Sequence, residues 1–215
     1  MTGAVIPIRV PKPFADWPVS QLVTGDPTDD IMRATYRALC RHGYANLTMQ
    51  DIADEWSKSK AALHYHYDTK RGLLLAFLDH LFESYTDRVA DSGDGSPRDR
   101  LHDLLADATD PPRADTSREL WTALFEVKAQ APHDDDFRDR LARFDRYLYD
   151  ELRGILVDGV ETGVFRAGVD PDETATLLVT LVTGTHSRRV SLGDDAGVPD
   201  ALNAFVDNHL VEPGQ

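Results

Sequence analysis

The sequence predicts an all-α protein of about nine helices, a three-helix head followed by a larger helical body. Three observations carry that prediction. Apolar residues recur three and four apart over almost everything after Thr28, the spacing of one helical face. Helix starts and stops are marked by Ser, Thr and Asp caps, by Pro just inside starts and by Gly at ends. No stretch alternates apolar and polar residues as a strand would, and no internal repeat is visible.

The elements follow in order. Residues 1–27 carry Pro7, Pro11, Pro13, Pro18 and Pro27 and read as an extended or disordered arm, whose Arg9 and Lys12 could touch a minor groove. A first helix spans about Asp29 to His42, with Ile31, Ala34, Thr35, Ala38 and Leu39 inward and Gly43 as its left-handed stop. Thr48 with Asp51 forms a capping box for a second helix. Ser57 or Ser59 opens the third, and Asp68-Thr69 caps a long fourth from Lys70 to about Asp91.

Beyond the loop Asp91 to Ser96, Ser96-Pro97 opens a helix that Pro111-Pro112 breaks. Thr116 with Glu119 forms a second capping box. A long helix then runs from Asp134 to about Glu161, with Phe137, Leu141, Phe144, Leu148, Leu152, Ile155 and Leu156 on one face. Asp170-Pro171 opens another helix through about Arg188, and Val198-Pro199 a last one ending near Val211. The domains are therefore the arm at 1–27, a head at 28–72 and a body at 73–215.

The chain has 215 residues, 37 acidic against 23 Lys and Arg, and a net charge of −14. Scarce Lys beside abundant Asp favours a surface adapted to very high internal salt; an acidic protein of ordinary salt is the alternative. Within this acidity, Arg41, Lys58, Lys60, Lys70 and Arg71 outnumber Asp51, Asp54, Glu55 and Asp68 by five to four. That segment is about +1 and the remainder about −15, an asymmetry that points to a local cationic face for nucleic acid.

Cys40 is the only cysteine, so no intramolecular disulfide can form, and a reducing cytoplasm suits it. No apolar run approaches the ~20 residues of a membrane span, and the first residues do not form a signal peptide. A soluble cytoplasmic protein is expected.

Two short helices with a turn around Trp56 to Lys58 have helix-turn-helix geometry, in which the second helix enters the major groove. Leu63 would point inward with Ile52 and Ala53. Lys60, Ala61, His64 and Ala62 would then face base edges, while Thr48, Ser59, Tyr65 and Lys70 would hold phosphates. His66 is expected to pack the head onto the fourth helix.

The pattern Gly43-Tyr44, Leu47-Thr48, Asp51-Ile52-Ala53, Ser59-Lys60, Leu63, Tyr65-His66-Tyr67 and Lys70 resembles the amino-terminal domain of the TetR family of transcriptional regulators, over about residues 30–75. Two positions depart from it. Trp56-Ser57-Lys58 stands where the family has glycine and a small aliphatic residue, and Ala61-Ala62 replaces a frequent glycine and threonine. The resemblance implies a homodimer that reads two operator half-sites in double-stranded DNA, and a body holding a dimer interface and a pocket for a small-molecule effector that releases DNA. Leu177, Leu178, Leu181 and Val182 are candidates for the dimer seam. Trp121, Phe125, Phe144, Tyr147 and His186 are candidates for the pocket, or for ordinary core.

No cofactor or metal is expected. His64 and His66 lie two apart on a helix and point in different directions, and His133 to Asp136 reads as an acidic helix start rather than a hard-cation site. No nucleophile context appears, and Gly93 to Gly95 lacks the flanks of a phosphate loop. The function expected is a sequence-specific DNA-binding regulator, a repressor relieved by a small molecule. The alternatives are a sensor that keeps the fold without operator binding and a helical metalloenzyme using His133 and its neighbouring aspartates.

Overall fold

The computed structural model describes residues 27–90, 95–109, 117–193 and 197–212. The expected arm, the loop after Asp91, the Pro111-Pro112 break and Thr116 lie outside the described residues. The helices are α1 (Pro27–Asn46), α2 (Met49–Trp56), α3 (Lys60–His66), α4 (Lys70–Ala90), α5 (Pro97–Thr109), α6 (Ser117–Lys128), α7 (Asp135–Glu161), α8 (Pro171–Leu192) and α9 (Val198–Phe205). A 3-10 turn, Ala131–His133, precedes α7, and a π-helical turn, Val206–Leu210, follows α9.

The local signals behave as their chemistry requires. Helical bonding runs through α1 to Asn46, yet Gly43 breaks it at φ 69°, ψ 167°, a left-handed φ that L side chains rarely adopt. Asp134 caps α7 by accepting from the amides of Asp136 and Phe137, and Asp170 caps α8 by accepting from those of Asp172 and Glu173. The last expected helix ends early. Its chain widens into the π turn and Val211 pairs with Phe165, where Arg166 N–H donates to the Leu210 carbonyl and Glu212 N–H to that of Val164. That pairing is the single β-bridge among the described residues.

Two apolar cores result. The first joins Ile31, Leu39, Ile52 and Leu63 of the head to Leu74 and Phe77 of α4, Ala123 and Val127 of α6 and Phe137 of α7. The second joins Leu101 and Leu105 of α5, Leu152 and Leu156 of α7, Leu178 and Val182 of α8, and Leu202 and Val206 at the C-terminal end. The head is thus anchored on the body through α1 against α6, sharing one core.

The expected dimer seam is corrected here. Leu178 and Val182 are buried within the subunit's own core, whereas Leu177 and Leu181 are 44 % and 36 % exposed. Residues one apart on a helix lie about 100° apart, so only one of the two pairs can face outward.

A candidate nucleic-acid interface and a cavity in the body

The helix-turn-helix is held by three backbone devices. Thr48 and Asp51 form a reciprocal capping box: the Asp51 amide donates to the Thr48 hydroxyl (3.2 Å) and the Thr48 amide to the Asp51 carboxylate (2.8 Å). The Thr48 hydroxyl also donates to Asp51 (2.7 Å), and these bonds hold the Asp51 carboxyl below its usual pKa. Ser57 ends α2 in the left-handed region at φ 58°, and Lys58 N–H donates to the Ala53 carbonyl. Ser59 then caps α3 by accepting from the Ala62 amide (3.1 Å). The departure at Trp56-Ser57-Lys58 therefore keeps the tight turn, with serine in a conformation that glycine adopts more cheaply.

On α3, Leu63 is fully buried, opposite a face on which Lys60, Ala61, His64 and Tyr65 are exposed, Tyr65 at 88 %. Ala62 is half-buried, and Thr48 and Ser59 are exposed beside this face. His66, expected to pack the head onto the fourth helix, is exposed. Its ring lies edge-on to Trp56 of α2 (5.8 Å) and to Tyr65 (5.3 Å), so it braces the head internally.

The cationic face is narrower than the charge count suggests. Arg41 pairs with Glu55, and Arg71 grips Asp134 through two nitrogens (2.6 and 2.8 Å) and Asp136 (2.6 Å). Lys70 donates to the Tyr44 carbonyl (3.0 Å), its ammonium 4.9 Å from the Tyr44 ring centre. Among the described residues, Lys58 and Lys60 are left exposed without an ion pair. The other three cations tie the head together or to the body.

That joint centres on Tyr44. Its amide donates to Glu126 of α6 (2.6 Å), as does that of Ala45 (3.4 Å), so one carboxylate caps the chain restarting after Gly43. The Tyr44 ring meets Phe137 of α7 edge-on at 6.4 Å. Sequence reasoning missed Glu126. Its partners lie 82 and 81 residues away, and nothing local marks it.

Within the body, a cavity of about 460 Å³ opens between α4, α5, α6, α7 and α8. Its walls are mainly apolar, from Leu78, Leu81, Leu141, Leu148, Val179 and Val182, with Tyr85 and Lys128 among the other lining groups. Trp121, Phe144 and His186 line it as well. Phe125 is 39 % exposed elsewhere on α6 and Tyr147 packs on Phe82 and Tyr85, so neither joins the wall. His186 stacks on Trp121 at 4.2 Å and bonds through Nε2 to the Ala108 carbonyl (2.7 Å). Burial, aided by the nearby charge of Lys128, pushes its pKa down to about 4, so the ring is neutral and donates that bond.

A short capped recognition helix on a helical body with a mainly apolar cavity defines a helix-turn-helix DNA-binding regulator. Comparison with known proteins agrees. Residues 31–77 match the family described as bacterial regulatory proteins, tetR family, and residues 97–212 the family described as BetI-type transcriptional repressor, C-terminal. The chain belongs to the TetR family of transcriptional regulators.

Its relatives include the HTH-type transcriptional repressor AcnR of Corynebacterium diphtheriae, 28 % identical over 175 residues that cover 81 % of this chain and 86 % of that protein. A TetR transcription regulator from Haloarcula marismortui superposes with a TM-score of 0.77 at 38 % identity, covering 86 % of this chain and 98 % of the other. A transcriptional regulator from Saccharomonospora viridis, solved in complex with choline, gives 0.76 at 28 % identity, covering 86 % and 97 %.

Proposed function

We propose that the protein is a cytoplasmic, homodimeric repressor that reads a two-half-site operator and is released by a small organic effector bound in the cavity. The observation that carries this reading is that one helix touches both sites. α6 lines the cavity with Trp121 and Lys128, and between them Glu126 caps the head at Tyr44. The BetI-type match over the body and the repressor name of the AcnR relative support repression. The choline-bound neighbour supports a small organic ligand.

For the operator contacts, Lys60, Ala61, Ala62 and His64 serve base reading, and Ser59, Tyr65 and Lys58 serve phosphate contact. Lys70 joins the latter through the ammonium protons not donated to the Tyr44 carbonyl, whereas both donors of Thr48 are already committed to the Asp51 carboxylate. Leu177, Leu181 and Leu192, the last 67 % exposed, form an apolar row on the outer side of α8 that suits pairing with a second copy. The domains divide as a head at 28–72 and a body at 73–215, with α4 crossing the boundary. No described helix is long and apolar enough to cross a membrane.

Fluorescence anisotropy of labelled DNA from upstream of the protein's own gene, with scrambled DNA as control and potassium salt stepped to molar, tests the reading. The expected result is saturation at two protomers per site, surviving competitor. Lys58→Ala should weaken all sequences alike, whereas His64→Ala should change preference at particular base pairs. Equal binding to operator and scrambled DNA, given a pull-down that finds no genomic site, would favour a sensor that has lost operator binding.

A further inference from the structure

The charges in the cavity wall narrow the effector's chemistry, an inference that rests on the cavity being the effector site. Four formally charged side chains, Asp107, Lys128, Arg138 and Asp145, line it besides His186, and they are not equivalent. Arg138 is paired with Asp135, and Asp107 has partners within the protein. Lys128, at the end of α6, makes no hydrogen bond or ion pair among the described residues. Its attraction to Asp145 acts across more than ion-pair distance. The side chain keeps open surface because it borders the cavity, while the protein packed around the ammonium strips its water and lowers its pKa.

A second donor on the same helix also lacks an acceptor: the indole Nε1 of Trp121 is buried and bonded to nothing. Buried donors are ordinarily satisfied. Lys128 is the donor on this wall that an acceptor entering the cavity can reach, because Trp121 Nε1 exposes almost no surface.

We infer that the cavity takes an amphipathic organic anion, its acidic group held by Lys128 and its apolar or aromatic body lying on Trp121, Phe144 and the leucine walls. A carboxylate or sulfonate replaces the ammonium's missing water with a charge-assisted hydrogen bond, stronger in this setting than in water. A quaternary ammonium would also find aromatic faces here. It would have to sit beside a like charge that Asp145 offsets only from a distance.

Two dyes with the same aromatic body provide the test, one carrying an anion and one neutral: 1-anilinonaphthalene-8-sulfonate and N-phenyl-1-naphthylamine. Fluorescence titration of the full-length protein should show the sulfonate bound once per protomer, about tenfold more tightly than the neutral dye. Lys128→Met keeps the stem and removes the charge. It should raise the sulfonate's Kd about tenfold and leave the neutral dye's Kd within twofold. Ala142→Phe, which narrows the cavity, should weaken both dyes, with thermal melts confirming that each variant is folded. If Lys128→Met moves both dyes alike or neither, or if benzyltrimethylammonium displaces the neutral dye better than benzoate does, the anion preference is wrong and the effector site survives. If Ala142→Phe affects neither dye, the cavity is not a ligand site, and both this inference and the effector reading fall.

Discussion

The reading face of the head and the cavity of the body are built in opposite ways. The reading face is assembled from residues 48 to 65, oriented by caps within three residues of their partners. The cavity draws its wall from residues as far apart as Leu78 and His186, oriented by the packing of five helices. A DNA-reading surface can therefore change one side chain at a time without disturbing its frame, whereas most cavity residues also support the core. Disturbing one region and then the other should reveal that difference.

The largest effect is expected from tightening the body. A Cβ on Gly159 would lie 2.0 Å from the Phe165 ring, where α7 ends against the segment paired with Val211. Gly159→Ala should destabilise by about 3 kcal/mol, as overpacking a core does, and lower Tm by several degrees. Gly154→Ala, five residues earlier with nothing within 4 Å of its Cβ, should instead gain up to about 1 kcal/mol from helix propensity. Equal melts for the two variants would show that Phe165 has room to move and that this end of the body is not close-packed.

The cavity should also give the body a pH dependence. His186 has a folded pKa of about 4 against an ordinary 6.5. The unfolded chain therefore takes up the proton first as pH falls. The contribution to stability is complete above pH 6.5, shrinks as pH falls toward 4 and is lost below it, amounting to about 3 kcal/mol at most. Denaturant titrations from pH 7.5 to 4.5 should show wild type losing more stability than His186→Gln, which keeps a donor for Ala108 and does not titrate. Parallel curves would mean that the ring accepts a proton without leaving the Trp121 stack.

Where the two regions join, Glu126→Ala should cost about 1 kcal/mol, the usual value of a capping side chain, because it leaves the Tyr44 and Ala45 amides without their acceptor. Urea denaturation measures that cost directly. An unchanged midpoint would mean that water or another group caps the restart after Gly43 equally well.

The sequence reveals the frame of the head and much of its face because both depend on neighbours in the chain. The Thr48–Asp51 box, the Ser59 cap and the burial of Leu63 follow from spacing alone. The same holds in the body for helix starts such as Asp134 and Asp170. It does not hold for partnerships. Arg41, Lys70 and Arg71 look like free cations in the sequence, and only the fold shows that Glu55, the Tyr44 carbonyl, Asp134 and Asp136 engage them. Phe125 and Tyr147 share the aromatic character of Trp121 and Phe144, and helix rotation alone decides which of them meet the cavity. Lys128 carries no local sign of its surroundings, and the π turn after α9 arises from pairing with Phe165, more than 40 residues earlier in the chain.

The smallest expected effect tests whether the head's frame is as local as it looks. Ser57 sits at φ 58° in the turn between α2 and α3, a conformation that costs an L residue about 1–2 kcal/mol. Ser57→Gly relieves that cost but gives the unfolded chain more freedom, worth about 0.5–1 kcal/mol. The net expectation is a stabilisation below about 1 kcal/mol, visible as a slightly higher urea midpoint, with operator affinity unchanged. Ser57 is exposed, and its amide donates to the Asp54 carbonyl whichever side chain it carries. A gain in stability with intact DNA binding would show that backbone geometry alone sets the angle between the two helices. A loss of DNA binding from the same change would assign the serine hydroxyl a direct part in the interface, and the head would then depend on side-chain contacts that its caps do not define.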